Sequence, residues 1–171
     1  MEISNYVLGI HSNVIPSAEF TDGHAWLTIT TKAGKGGWGL PRFVKSYGLW
    51  PDGHPRTKDN GGKTDVRVGM EPAKGIANRY YGLTPLQHMQ LKSLINTTEH
   101  WFYTNNCSSW ANEIVKRVYK TEVDADDWFG IETPRELSRN IQLLEHKEPT
   151  SVDNPKIIAW KLTRRGYRRV K

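Results

Sequence analysis

Cys107 is the only cysteine among 171 residues, and six histidines accompany it. A lone thiol excludes an internal disulfide framework and any cysteine-rich zinc site. Two readings compete for it: a small buried hydrophobe, as free cysteines often are, or a nucleophile activated as its thiolate. Its position bears on the choice. Cys107, Trp110, Ala111, Ile114, Val115, Val118 and Tyr119 recur at i, i+3, i+4, i+7, i+8, i+11 and i+12, one face of a helix. Cys107 then falls in the first turn, with Asn105 or Asn106 as the N-cap. Unpaired N–H groups and the positive end of the macrodipole stabilise a thiolate there, and the same N–H groups can hold an oxyanion. The neighbours Asn105, Asn106, Ser108 and Ser109 make that turn polar, unlike a plain core position.

A thiolate nucleophile needs an imidazole within hydrogen-bond reach. His24 is the first choice. It follows the turn Thr21-Asp22-Gly23 and opens the β-prone run Ala25–Thr30, so it sits at a sheet edge where a helix N-terminus can meet it. His11, at the end of the run Tyr6–Ile10, is the rival. His54 falls in the loop after Pro51, His88 and His146 on helices, and His100 between helices; the first three read as surface residues, and the last fits a base or a packing residue equally.

The elements that must position these groups follow from periodicity and punctuation. Tyr6–Ile10, Ala25–Thr30, Phe43–Trp50 and Asp65–Val68 read as strands, with glycine-rich turns at Gly34–Gly37 and Asn60–Gly62 and an exposed loop over Pro51–Lys63. Thr84-Pro85-Leu86-Gln87 is a capping box with proline at N1, followed by a stripe of Leu86, Met89, Leu94 and Ile95. Thr133-Pro134-Arg135-Glu136 opens a second such helix through Leu137, Ile141 and Leu144. Ile157–Leu162 reads as a last strand. The order is β-rich, then α, then β, which predicts an α+β domain with a mainly antiparallel sheet over residues 1–171.

Composition narrows the partners. The formal net charge is +6, with 37% hydrophobic and 25% charged residues. Residues 151–171 carry seven basic side chains against Asp153 alone, so the whole excess lies in that tail and the preceding 150 residues are neutral in sum. That neutrality and the absence of a nucleic-acid motif argue against a nucleic-acid partner. The tail reads as an accessory patch for an anionic wall or an acidic inhibitor. No apolar run approaches the roughly 18–20 residues of a membrane span. Met1–Ile15 lacks a basic segment, which predicts no secretory signal and synthesis in the cytoplasm. Gly34–Gly37 lacks phosphate-loop spacing, and Asp124, Asp126 and Asp127 lack calcium-loop spacing, so neither a cofactor nor a metal is expected. Trp26, Trp38 and Trp50 lie on or near the His24 strand and its neighbour, as core packing or as walls of a substrate groove.

Gly23-His24-Ala25-Trp26-Leu27-Thr28-Ile29, Ser46-Tyr47-Gly48-Leu49-Trp50-Pro51, Tyr80-Tyr81-Gly82-Leu83-Thr84 and Asn106-Cys107-Ser108-Ser109-Trp110-Ala111, in that order, resemble a circularly permuted papain-like fold. More narrowly, they resemble NlpC-type cysteine peptidases in which the histidine strand precedes the cysteine helix, as in cell-wall amidase effectors of type VI secretion systems. The resemblance covers about residues 20–120. It implies Cys107 as nucleophile, His24 as general base, and a third polar group on the strand after the His24 strand to orient the imidazole. Ser46 is the choice on that strand, since a hydroxyl can accept from an imidazole N–H, with Asp52 and Asp65 as further candidates. The implied activity is hydrolysis of an amide bond in peptidoglycan peptides by an antibacterial effector. Such an effector is delivered to the periplasm of a target bacterium through the secretion apparatus and is neutralised by an immunity protein in the producer. The same dyad could serve an acyltransferase or a deamidase. A basic nucleic-acid-binding toxin domain with an inert Cys107 is the alternative from another class.

Overall fold

In a computed structural model, residues 4–19, 22–32, 43–52, 54, 63–121, 123–125, 130–163 and 166–169 are described. The turns expected at 34–37 and 60–62, most of the loop over 51–63, Trp38, Asp126 and Asp127 lie outside them. Five strands, β1 (Tyr6–Ser12), β2 (Ala25–Thr31), β3 (Val44–Leu49), β4 (Val66–Val68) and β5 (Ala77–Gly82), precede three helices. The helices are α1 (Pro85–Ile95), α2 (Cys107–Tyr119) and α3 (Pro134–Lys147), and β6 (Lys156–Ile157), β7 (Trp160–Thr163) and β8 (Gly166–Arg169) follow. The domain is α+β, as the order of sequence patterns predicts. The main sheet runs β4-β3-β2-β1-β5-β6. Its pairs are antiparallel except β5–β6, which is parallel and makes the sheet mixed.

The strand period of two puts Leu8, Ile10, Leu27 and Tyr81 on the face that joins the main core with Trp110, Ile114, Val115 and Val118 of α2. The opposite face carries Val7, His11, Trp26, Thr28 and Tyr80, also buried. β5 has no alternating signature because it buries Arg79 in place of a hydrophobe. Arg79 donates to Glu145 Oε1 at 2.7 Å and to the Glu148 carbonyl at 3.1 Å, tying the end of α3 to the sheet. The other end of α3 is held by Ser12 Oγ donating to the Pro134 carbonyl and Ser138 Oγ donating to the Val14 carbonyl, both at 2.7 Å.

Two expectations change. In α1 the inward face is Gln87, Leu91 and Ile95, whereas Leu86 and Met89 are exposed. Gln87 turns inward because it serves two elements. Its side chain accepts the Thr84 N–H at 2.9 Å in the capping box and donates to the Ile158 carbonyl at 2.7 Å. The single last strand is instead broken at Ile158-Ala159, both buried, with that Ile158 carbonyl taken by Gln87 rather than by a ladder. β7 pairs antiparallel with β8, and the Trp160 indole donates to the Tyr119 carbonyl at the end of α2.

Gln87→Ala removes the cap's reciprocal bond and orphans a buried carbonyl. It should destabilise the fold by about 1–3 kcal/mol, read as a lowered midpoint in urea or thermal unfolding.

Candidate active site

The helix α2 starts where the sequence places it, and Asn106 is the cap. Its side chain accepts the Ser108 N–H at 2.9 Å and the Ser109 N–H at 3.2 Å. Its amide donates to the Glu132 carbonyl at 2.7 Å, which fastens the helix start to the segment before α3. The Trp110 N–H is taken by the Asn106 carbonyl. Of the first four N–H groups of α2, that of Cys107 has no acceptor among the described residues. A developing oxyanion beside the sulfur would meet that free donor.

His24 precedes the first residue of β2. The Asn13 side chain accepts its backbone N–H at 2.7 Å, and Gly23 before it adopts φ +92°, which a side chain would strain. Its imidazole and Cys107 of α2 line the same cavity, near enough for each to shift the other's protonation through hydrogen-bonding capacity and charge. Nε2 of His24 lies 3.1 Å from Glu71 Oε1, which leaves Nδ1 as the ring nitrogen for the thiol. The Glu71 side chain is 2% exposed and that of His24 12%. Burial alone would lower the imidazole pKa. The bonds and charges of Cys107 and Glu71 outweigh it and hold His24 up at about 9. Burial would raise the thiol, but the bond and charge of His24 overcome this and lower it, helped by the Ala25 N–H. Both directions favour a thiolate–imidazolium pair.

Glu71 is the residue that sequence reasoning missed. It lies in the turn after β4, far from any motif, and no periodicity marks it. Ser46 is not the group on the imidazole. Its hydroxyl accepts the Glu71 backbone N–H at 3.2 Å, so it positions the carboxylate one step back. A carboxylate takes the place expected of Ser46 because it supplies the negative charge that keeps the imidazole protonated. Asp65 is committed to the Trp101 N–H at 2.8 Å and Asp52 faces Arg67 at 3.6 Å; neither meets His24. The one signal for the close approach is Gly48, a glycine inside a strand. A Cβ there would stand 2.0 Å from Glu71 Oε1 and 2.7 Å from His24 Nε2.

The rival His11 is a satisfied core residue. It is fully buried, with Nδ1 donating to Asn78 Oδ1 at 2.7 Å and Nε2 accepting from Thr28 Oγ at 2.8 Å. Burial, outweighing the Asn78 bond, pushes it down to about 4 and keeps it neutral. His54 is not a solvated loop residue. It is half-buried, its ring 4.7 Å from that of Trp50, and both line a cavity of about 430 Å³ that opens on Cys107 and His24. Trp101, Tyr103, Ile131 and Pro134 form the other walls. Trp50 is a wall of this cavity, whereas Trp26 is core, its indole donating to the Pro72 carbonyl at 3.0 Å. Among the described residues no three of His, Cys, Asp and Glu are placed to hold a metal ion, and no helix is long and apolar enough to cross a membrane. No protein family, curated protein or solved structure matches the chain.

Because Cys107 is the sole thiol, its alkylation reports the pair directly. The rate should rise at a pH below the ordinary thiol range of about 8.5 and change again near 9 as His24 loses its proton. Gly48→Ala should separate Glu71 from His24 and return the first inflection toward that of an ordinary thiol.

Proposed function

We propose that the protein is a cysteine hydrolase of amide bonds, with Cys107 as nucleophile, His24 as general acid and base, and Glu71 orienting the imidazole. The observation that carries this reading is the paired thiol and imidazole, backed by a buried carboxylate, at the floor of an aromatic-walled cavity. Each member has the position its step requires. The Cys107 thiolate attacks the amide carbonyl carbon and forms a C–S bond, and the electron pair moves to the carbonyl oxygen. The free Cys107 N–H at the start of α2 stabilises that oxygen. When the pair collapses back, the C–N bond breaks and the His24 imidazolium gives its proton to the leaving amine. His24, now neutral, takes a proton from water. The hydroxide displaces the thiolate from the thioester, releasing the acid and restoring the pair. Glu71 stays on Nε2 of His24 and stabilises each state in which the imidazole is charged.

The papain-like, permuted NlpC-type reading of the fold is supported by the order of a histidine at a strand start, an antiparallel sheet and a cysteine opening a helix. The substrate follows from that resemblance: a peptide of peptidoglycan, cleaved in the periplasm of a target bacterium by an effector that the secretion apparatus delivers and an immunity protein restrains. The cavity suits such a chain in size, and aromatic walls suit both sugar and peptide faces.

Purified peptidoglycan incubated with the protein should release soluble peptide fragments identifiable by mass spectrometry. Cys107→Ala and His24→Ala should each cut that release by at least about a thousandfold without changing the circular dichroism spectrum. Release by Cys107→Ala at the unaltered rate would end the reading. Fast alkylation of Cys107 with no fragment released would move it to acyl transfer or deamidation by the same pair. The pH profile of cleavage should be bell-shaped: activity falls on the acid side as the thiolate is protonated, and on the alkaline side near pH 9 as the imidazolium is lost.

A further inference from the structure

Glu71 Oε1 accepts two N–H groups at once, from Trp50 Nε1 at 2.6 Å and from His24 Nε2 at 3.1 Å. Its other oxygen, Oε2, is buried and has no hydrogen-bond partner among the described residues. A carboxylate with two equivalent oxygens can present either to the imidazole, and the indole removes that freedom. By donating a short, charge-assisted bond to Oε1, it pins that oxygen where Nε2 of His24 meets it. The indole ring also lies against the imidazole, 4.1 Å between centroids and tilted by 39°, so its π face adjoins the imidazolium. His54 also lies against the indole, 4.7 Å between centroids, and Trp50 and His54 together line the cavity. Among the described residues the titratable groups around this cluster are Cys107 and Glu71 beside the imidazole, His54 against the indole, and Glu132 and Tyr103 elsewhere in the cavity lining.

We propose that Trp50 is a positioning residue that fixes Glu71 on His24 through its indole N–H and so couples the substrate wall of the cavity to the charge held at Cys107. The proposal rests on the cysteine-hydrolase reading for its purpose, and on the geometry of four side chains for its content. A substrate group packed on the indole presses on the residue that orients Glu71. A displacement that draws Nε1 off Oε1 frees the carboxylate to turn, weakens the imidazolium and returns the proton toward the sulfur.

The test uses the alkylation of Cys107 by iodoacetamide across pH, which needs no substrate. Trp50→Phe keeps the ring and removes the N–H. Its alkylation at pH 6 should fall about tenfold, the change that one pKa unit makes, with near-ultraviolet circular dichroism otherwise retained. Glu71→Gln should fall at least as far. The double variant should match Glu71→Gln within about twofold, because Trp50 acts through Glu71. A Trp50→Phe profile that superimposes on that of the unaltered protein would overturn the proposal, and so would an effect undiminished in the Glu71→Gln background. If the unaltered protein shows one inflection in the ordinary thiol range, the ion pair itself fails and the proposal fails with it; two inflections unmoved by Trp50→Phe sink Trp50 alone. Should Trp50→Phe not fold, the unaltered protein still decides by NMR. The Trp50 indole N–H resonance must shift through the titration of His24, and a constant shift overturns the coupling.

Discussion

The site depends on one constraint: the imidazole of His24 must touch a carboxylate on one side and a thiol on the other while all three are withdrawn from water. Each partner comes from a different part of the chain, and each brings a requirement of its own. Glu71 reaches His24 only because residue 48 has no side chain to stand between them. It keeps its place because Ser46 accepts its backbone N–H and Trp50 donates to its carboxylate. The buried charges do not cancel: carboxylate, imidazolium and thiolate sum to one negative charge. The remainder is met by the start of α2, where the free Cys107 N–H and the helix macrodipole, about half a positive charge, face the sulfur. A cysteine at another turn of the same helix face would lack that compensation.

The scaffold brings two rigid ends together. One is the end of the sheet, where His24 leaves the turn at Gly23 with its backbone N–H on Asn13. The other is the start of α2, and its position is set from two sides. Asn106 binds the Glu132 carbonyl ahead of α3, while the Asp65 carboxylate accepts the Trp101 N–H and the Glu99 carbonyl accepts the Asp65 N–H at 2.7 Å. The start of β4 therefore anchors the segment that carries the cavity walls Trp101 and Tyr103 and leads into Cys107. Candidate residues sit on loops and element ends, but the hydrogen bonds that hold them run into the sheet and between helices.

What the sequence discloses follows the range of the interaction that encodes it. The helix at Cys107 and both proline-started helices are legible because caps and apolar spacing are local. His24 and the strand after it are legible for the same reason. Glu71 is not, because its role depends on a turn that brings residue 71 to residue 24 across β3 and β4, and nothing near it in the chain marks that approach. Ser46 offers a hydroxyl on the right strand. That hydroxyl does serve the cluster, but through the Glu71 N–H, a partner 25 residues away. The inward turn of Gln87 and the buried Arg79 of β5 break the expected stripes because each satisfies distant backbone or charge. Binary patterning cannot see such exceptions: a polar residue inside is legible only with its partner in hand.

The energetics separate what the fold needs from what the site needs. Taking charged groups out of water costs several kcal/mol per ion even after relaxation, and apolar groups of the same shape are often as stable or more so. Here one carboxylate oxygen is buried without a partner among the described residues, so hydrogen bonds among them do not recover the cluster's full desolvation cost. His11 shows how this sheet holds a histidine for structure alone: neutral, with one donor and one acceptor matched, and its pKa pushed down to about 4. His24, a few ångströms from Trp26 on the same sheet, is pushed the other way, to about 9. Two buried imidazoles against one indole are thus shifted in opposite directions, and the difference is made by Glu71 and Cys107. Strain of that kind does nothing to hold β1 against β2, and its chemical product is a thiol held down toward its thiolate by the imidazole beside it.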